Sequence, residues 1–293
     1  MGNEPILQNI INENTKLRQQ LIRDIQSLTK RKLIVYTANP AHPFAIIMRQ
    51  DTLLFEDILR SVGDNNEGSL MITSPGGEPN AAEKMLIMCR ERFKNFEVIV
   101  PEYAKSAATM IALGSDKIQM GYLAELGPID PQLEINSPQG KAIIPARAII
   151  DGVESIRKKI KEGDPPQMYL TMLQNLSPQI IQICETSIED ARGFAEKWLK
   201  KYMLKEKPDQ ATKVAKDLSE GKVYKSHGKV INIEEAKSVL QLNIEKIENN
   251  NPLWEKIWEL HCRSVQFLQQ TNGAKLFESE TVSLKMEIGM IVK

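Results

Sequence analysis

The amino-acid sequence predicts an α/β fold with a largely parallel sheet. Short apolar runs typical of buried strands alternate, along the first half of the chain, with segments whose apolar residues recur every three or four positions. Strands that alternate with helices pair in parallel through right-handed crossovers. The chain has 293 residues, of which 42% are hydrophobic, and this length can bury a substantial core.

Residues 1–32 are predicted to form an N-terminal helical arm. From Pro5 to Lys32 the apolar residues follow steps of three and four, which mark one face of a long helix. The flanking charges are of both signs, which favours a packing role over a membrane-surface helix. We expect an oligomer or domain-docking contact, because an autonomous coiled coil would need more heptads.

Residues 33–245 are predicted to form the main domain, and its first part carries the alternation of strands and helices. The predicted strands are Leu33–Tyr36, Ala45–Met48, Ser69–Thr73, Val98–Val100 and Asp116–Met120. The predicted helices between them are Asp51–Val62, Glu78–Phe93 and Ala107–Gly114.

Beyond Arg147 the pattern predicts mostly helix. The predicted segments are Ala148–Glu162, Pro166–Asn175, Pro178–Leu204, Gln210–Gly221, a helix that begins at Ile233, and Pro252–Gln270. Residues 246–293 are expected to form a helical C-terminal extension.

Composition argues against several classes of protein. The 38 basic and 38 acidic side chains balance and only 5% of residues are aromatic, unlike a dedicated nucleic-acid binder. The three cysteines form no CxxC pair, so we expect neither a zinc knuckle nor a disulfide framework, and a reducing compartment fits best. The longest strongly apolar run, seven residues, falls far short of the roughly 20 that span a bilayer. We expect a soluble, cytoplasmic protein without a membrane span.

The first loop of chemical interest is Ser74-Pro75-Gly76-Gly77, between a buried strand and a helix. Paired glycines can adopt positive φ and leave amide hydrogens unobstructed. A helix N-terminus behind them favours a bound oxyanion. A plain tight turn explains the same residues, so this loop alone is weak evidence.

The second loop, Ala104 to Ala108, places Ser106 at the start of a small-residue helix. A serine there is commonly only an N-cap. As a nucleophile, however, it would be followed by the Ala107 amide, which could donate to the oxyanion formed by its attack. The Gly77 or Gly76 amide would supply the second donor. The two loops together therefore predict a nucleophile with an oxyanion hole.

Three segments of the sequence resemble the serine dehydrogenase proteinase family, within the Clp protease-like and signal peptide peptidase A-like serine hydrolases. These segments are Ser74–Gly77, Val98–Thr109 and Leu126–Gln132, with a further likeness at Tyr224–His227. The resemblance implies a Clp/crotonase-like fold of repeated ββα units, a Ser106 nucleophile and an oxyanion hole from Gly77 and Ala107. It also implies a polypeptide substrate, a homo-oligomer, and no metal or organic cofactor.

The sequence leaves open which residue is the general base, and a lysine is one candidate. The position at which some membrane-bound relatives carry a lysine is Arg147, which cannot lose its proton in a protein. Lys141 lies six residues earlier and could reach only with a different loop arrangement. Lys105 precedes Ser106, and adjacent side chains usually diverge.

A histidine base is the other candidate. Clp-like relatives place a histidine after the serine and an aspartate before a later helix, whereas this chain has Asp130 and His227 at those places. Triads are recognised by geometry and not by order, so a Ser106, His227, Asp130 set is chemically sound. Asp130 could also cap a turn and His227 could be a surface residue.

The sequence therefore predicts a serine peptidase that acts through an acyl-enzyme. Two alternatives remain open. In crotonases paired amides polarise an acyl thioester without a serine nucleophile, although no basic or aromatic adenine site is evident near the first loops. The fold could also serve as a catalytically silent scaffold for assembly.

Overall fold

A computed structural model describes residues 6–137, 140–173, 176–287 and 290–292, and an eight-stranded sheet forms its centre. The strands are β1 (Lys32–Ala38), β2 (Asn65–Thr73), β3 (Phe93–Val100), β4 (Tyr103–Ala104), β5 (Lys117–Met120), β6 (Glu125–Leu126), β7 (Gln132–Ser137), β8 (Gly140–Pro145), β9 (Ile244–Lys246), β10 (Lys275–Glu278), β11 (Ser283–Glu287) and β12 (Met290–Val292).

The helices cover both faces of this sheet. They are α1 (Ile6–Thr29), α2 (Asp51–Val62), α3 (Pro79–Arg92), α4 (Ala107–Leu113), α5 (Ala146–Lys161), α6 (Leu170–Leu173), α7 (Pro178–Lys201), α8 (Pro208–Ser219) and α9 (Pro252–Gln270), with a 3₁₀ turn at Pro166–Tyr169 and a π-helical turn at Glu235–Val239.

The sheet has the order β12-β11-β10-β1-β2-β3-β5-β9, and β1, β2, β3, β5 and β9 are parallel neighbours. This confirms the predicted α/β class. Parallel strands are buried on both faces, so apolar residues predominate at the buried positions of these strands. In β1, Ile34 and Tyr36 pack into the larger core beneath α2 to α4, while Leu33 and Val35 pack against α1 and α9.

The N-terminal arm docks on its own chain. Leu21, Ile22 and Ile25 of α1 are buried against α9 and the sheet. Arg18 of the same helix forms a fully buried salt bridge with Glu278 of β10, at 2.9 Å. Breaking such a pair would leave an uncompensated buried charge, at a cost of about 3–5 kcal/mol. These three apolar residues of the arm thus make a docking contact within the chain.

The prediction of a strand at Ala45–Met48 is wrong. Only Ile47 pairs, in a single parallel bridge with Gly77. The surrounding residues turn into α2, where the Asp51 carboxylate accepts the Met48 amide at 3.0 Å. The apolar run therefore makes one backbone pairing beside the loop of interest instead of a strand.

The C-terminal segment is less helical than predicted. The helix at Pro252–Gln270 is present as α9, but three antiparallel strands, β10 to β12, follow it and extend the sheet beyond β1. Without them β1 would be an edge strand with unpaired N–H and C=O groups, and its pairing with β10 satisfies these groups. The boundary predicted at residue 245 falls inside β9, a strand of the sheet that β10 to β12 extend at its other edge.

Two other segments differ from the prediction. In the helix predicted at Pro166–Asn175, residues 166–173 form a 3₁₀ turn followed by the short α6, and residues 132–145, for which no element was predicted, contain the antiparallel pair β7 and β8. Pro5 and Asn175, where predicted helices begin and end, lie outside the described residues. Within the described ranges, no helix is both long enough and apolar enough to cross a membrane.

Candidate active site

The loops that follow β2, β3 and β5 lie at the carboxyl edge of the parallel sheet, beside a cleft of about 1010 Å³. Gly77, Ser106, Asp130 and His227 all line this cleft. Ligand sites of open α/β sheets usually lie at this edge. The fold thus brings four of the sequence-predicted residues to one place.

Ser106 occupies a sharp turn between β4 and α4. Its backbone has φ +49° and ψ −117°, a conformation that side-chain-bearing residues rarely adopt. Strained serines of this kind occur at strand-to-helix turns that expose a nucleophile. The Ser106 side chain makes no capping hydrogen bond to α4. The simple N-cap interpretation therefore lacks its defining contact.

The Ala107 amide follows Ser106 at the first position of α4. It has no hydrogen-bond acceptor among the residues that the structure describes, whereas the next amide, that of Ala108, donates to the Lys105 carbonyl at 2.9 Å. Ala107 and Ala108 are fully buried, so their small side chains pack the turn from behind. An unpaired amide beside the hydroxyl is available to an oxyanion.

The two glycines of the first loop differ in their contacts. The Gly76 amide donates to Ser74 Oγ at 3.1 Å, and is thus occupied. Gly77 pairs with Ile47, whose amide donates to the Gly76 carbonyl at 2.7 Å and whose carbonyl accepts the Glu78 amide at 2.9 Å. Within the described ranges the Gly77 amide itself has no acceptor. Of the two predicted donors, the geometry favours Gly77.

Gly76 has a steric role instead. It has φ +100°, and a Cβ built on it would lie 2.7 Å from Ser106 Cβ and 2.6 Å from the Lys105 carbonyl oxygen. Contacts shorter than 3.0 Å are essentially never tolerated by real Cβ atoms. Glycine therefore lets the first loop touch the nucleophile turn directly.

Asp130 and His227 are hydrogen-bonded to each other, with 2.8 Å between Asp130 Oδ1 and His227 Nδ1. Asp130 is only 4% exposed, and its other oxygen accepts from Gln132 Nε2 at 2.9 Å. An imidazole that donates from Nδ1 in its neutral form keeps Nε2 as an acceptor. Donation from Nδ1 to this carboxylate is the arrangement that a general base requires.

The contact between these two residues depends on a short antiparallel bridge. Leu126 and Ile231 exchange both backbone hydrogen bonds, at 2.9 and 3.1 Å, and join the segments that carry Asp130 and His227. Among the described residues, no hydrogen bond joins Ser106 Oγ to the imidazole. Such bonds are often long in free enzymes and shorten when substrate binds.

The lysines considered as bases are engaged elsewhere. Lys141 forms a salt bridge with Glu134 at 2.5 Å, its side chain is 71% exposed, and the hydrogen bond with that carboxylate raises its pKa above the usual 10.5. Lys105 forms a salt bridge with Glu125 at 2.7 Å. Arg147 pairs with Asp151 on α5. These contacts favour the imidazole over a lysine, whose neutral form is required of a base.

Sequence reasoning overlooked several supporting residues. Ser74 and Gln132 lie inside the segments that carry the family resemblance, so attention to every polar residue there could have found them. Thr109 also lies there, and its hydroxyl accepts the Gly127 amide at 3.1 Å. No local signal marks the buried pair of Lys275 and Asp51, 2.6 Å apart, because the two residues are distant in sequence.

The sequence is similar to that of a known protein family. A model of the ClpP-like SDH-type serine proteinase family matches residues 8–276. Two uncharacterized proteins of Methanocaldococcus jannaschii are similar, one 30% identical over 244 residues (80% of this chain and 76% of the relative) and one 28% identical over 261 residues (88% and 75%).

Solved structures with a distant likeness include two proteases. A mutant of the 1510-N membrane-bound stomatin-specific protease has a TM-score of 0.44 and 18% identity, with 77% of this chain and 84% of the other covered. ClpP1 of Listeria monocytogenes has a TM-score of 0.40 and 16% identity, with 81% and 99% covered. The family match is the stronger finding.

Proposed function

Because this chain belongs to the family of ClpP-like SDH-type serine proteinases, we propose that it is a serine peptidase that cleaves polypeptides through an acyl-enzyme on Ser106. The observation that carries the proposal is the juxtaposition of a strained serine, the unpaired amides of Ala107 and Gly77, and a hydrogen-bonded His227–Asp130 pair with a buried aspartate on one cleft. No part of the proposed chemistry needs a metal or an organic cofactor.

In the first half-reaction, Ser106 Oγ attacks the carbonyl carbon of the scissile peptide bond, and its proton passes to His227 Nε2. The carbonyl oxygen becomes an oxyanion that accepts from the Gly77 and Ala107 amides. Asp130 orients the ring and stabilises the imidazolium. The C–N bond then breaks as His227 returns its proton to the departing amine, and the acyl group stays on Ser106.

In the second half-reaction, water replaces the amine. His227 takes a proton from the water as its oxygen attacks the acyl carbon, the same two amides hold the oxyanion, and the proton returns to Ser106 Oγ as the C–O bond breaks. The products are a carboxylic acid and the free enzyme. The volume of the cleft, about 1010 Å³, suits several residues of an extended polypeptide.

An activity-based fluorophosphonate probe tests the proposal directly, since it phosphonylates only an activated serine. We expect the wild type to label and Ser106→Ala not to label. Ser187→Ala is the matched control, because Ser187 also lines the cleft and its loss should leave the labelling rate unchanged. Mass spectrometry of the labelled peptide should place the adduct on Ser106.

A folded wild type that does not label would contradict the proposal and favour a silent scaffold or thioester chemistry. Cleavage of an unstructured protein such as casein, lost in Ser106→Ala, would separate a peptidase from an esterase. Assembly into a homo-oligomer, residence in the cytoplasm and the division at residues 32 and 245 stay predictions.

A further inference from the structure

The Lys105 ammonium lies at the junction of three chain segments. It donates to the Leu126 carbonyl at 3.1 Å and to the Lys229 carbonyl at 3.3 Å, and it forms a salt bridge with Glu125 Oε1 at 2.7 Å. The side chain is only 16% exposed. All three of its N–H donors therefore have an acceptor.

Each contact of Lys105 reaches a segment that carries part of the proposed site. Leu126 stands four residues before Asp130, and Lys229 stands two residues after His227. The backbone amide of Lys105 donates to the Ser74 carbonyl at 3.0 Å, in the loop that ends at Gly77. Ser106 is its covalent neighbour. One residue thus joins the nucleophile, oxyanion, acid and base segments.

The site is shaped for this lysine. A Cβ on Gly127 would lie 2.7 Å from Lys105 Cδ, so the glycine leaves room for the aliphatic stem. A compact ammonium with three rotatable donors can reach two carbonyls and a carboxylate at once, whereas arginine presents its donors in a rigid planar fork. The carboxylate of Glu125 compensates the partly buried charge.

We propose that Lys105 is a positioning residue, which holds the His227 loop and the Asp130 segment in register with the Ser106 turn. The inference rests on the proposed function and goes beyond it, because it assigns to this lysine a structural link in place of proton transfer. The Leu126–Ile231 bridge joins only the acid and base segments to each other, whereas Lys105 joins both to the nucleophile turn.

The experiment compares Lys105→Met, which keeps the stem and loses the donors, with Lys117→Met. Lys117 is also a partly buried lysine, at the start of β5, and within the described ranges its ion pairs are with Glu97 and Glu245, outside the segments of the site. A displacement of about 1 Å costs on the order of 100-fold in rate. We expect Lys105→Met to lose about that factor in fluorophosphonate labelling, and Lys117→Met to label as the wild type does.

A second readout reports the geometry whether or not the protein labels. The chain has three histidines, so ¹⁵N-histidine labelling gives a simple NMR spectrum in which the hydrogen-bonded Nδ1–H of His227 can be assigned with His227→Gln. We expect this signal to shift or to exchange faster in Lys105→Met and to stay unchanged in Lys117→Met. Thermal unfolding of both variants checks that they are folded.

The outcomes separate the two proposals. Wild-type labelling of Lys105→Met would overturn the positioning role, and so would a loss of labelling with an unaltered His227 signal, which would indicate a lysine base. If the wild type itself does not label, the proposed function fails, but a changed His227 signal in Lys105→Met still supports the positioning role and an unchanged one overturns it.

Discussion

Replacing Gly77 by alanine should disable the oxyanion hole although the amide donor itself is retained. A Cβ at this position would lie 2.3 Å from the Ile47 carbonyl oxygen and 2.4 Å from the Ile47 amide nitrogen. Both obstacles are backbone atoms, so no side chain can move aside. The loop must instead shift by roughly 1 Å, and a shift of that size costs about 100-fold in rate.

The substitution should have two separate effects, one on folding stability and one on the labelling rate. Gly77 has φ +149°, where an alanine is strained, and such strain costs about 1–3 kcal/mol of folding free energy. Misalignment of one oxyanion donor costs about 10²- to 10³-fold in the chemical step. We therefore expect a moderately destabilised protein whose labelling rate falls by at least about 100-fold.

The assay is the second-order rate of fluorophosphonate labelling, with urea unfolding measured on the same preparation. Gly152→Ala is the matched control, because a Cβ there meets nothing within 4 Å and Gly152 lies in α5, away from the cleft. A folded Gly77→Ala protein that labels within about threefold of the wild-type rate would refute the proposed oxyanion donor.

Three further predictions follow from the contacts of the structure. Asp130→Asn should slow labelling by up to about 10⁴-fold, because an amide no longer enforces the His227 tautomer, and stopped-flow kinetics would detect this; an unchanged rate would exclude the triad. Lys275→Met should cost about 3–5 kcal/mol in urea unfolding by leaving the buried Asp51 carboxylate unpaired, and adding Asp51→Asn should restore part of it; a further loss would contradict the charge argument. The hydrogen bond from Lys32 lowers the pKa of Glu280 below its usual 4.5. The ionised Glu280 therefore contributes fully to the free energy of unfolding above pH 4.5, and this contribution is lost as the pH falls through the lowered pKa. Glu280→Gln should therefore show a shallower fall in unfolding free energy on the acid side, and a slope equal to that of the wild type would disprove the assignment.

The positions of the loops followed from local signals. Each of the two loops, at Gly77 and Ser106, comes after a strand with a short apolar run, Leu70–Ile72 or Val98–Val100, and small residues mark the turn itself. Strand burial and turn conformation depend mainly on near neighbours. For that reason the two loops could be singled out before any tertiary contact was known.

The C-terminal strands could not be predicted in the same way. A segment such as Lys275–Glu278 is too short to show a period, and its strand state results from pairing with β1, more than two hundred residues earlier. β-propensity is weak compared with such context. The Lys275–Asp51 ion pair could not be predicted for the same reason, because its two residues are distant in sequence and meet only inside the folded core.

The sequence by itself determined the alternating α/β core, the serine at a helix start and the glycine loop after an earlier strand, because each depends on a contiguous stretch of chain. Only the tertiary structure decided which glycine amide is free, which residue faces the aspartate and what the lysine before the serine does. Asp130 and His227 are 97 positions apart. Closing a loop of that length has an entropic cost, so this hydrogen bond forms only when the rest of the fold already holds the two segments together.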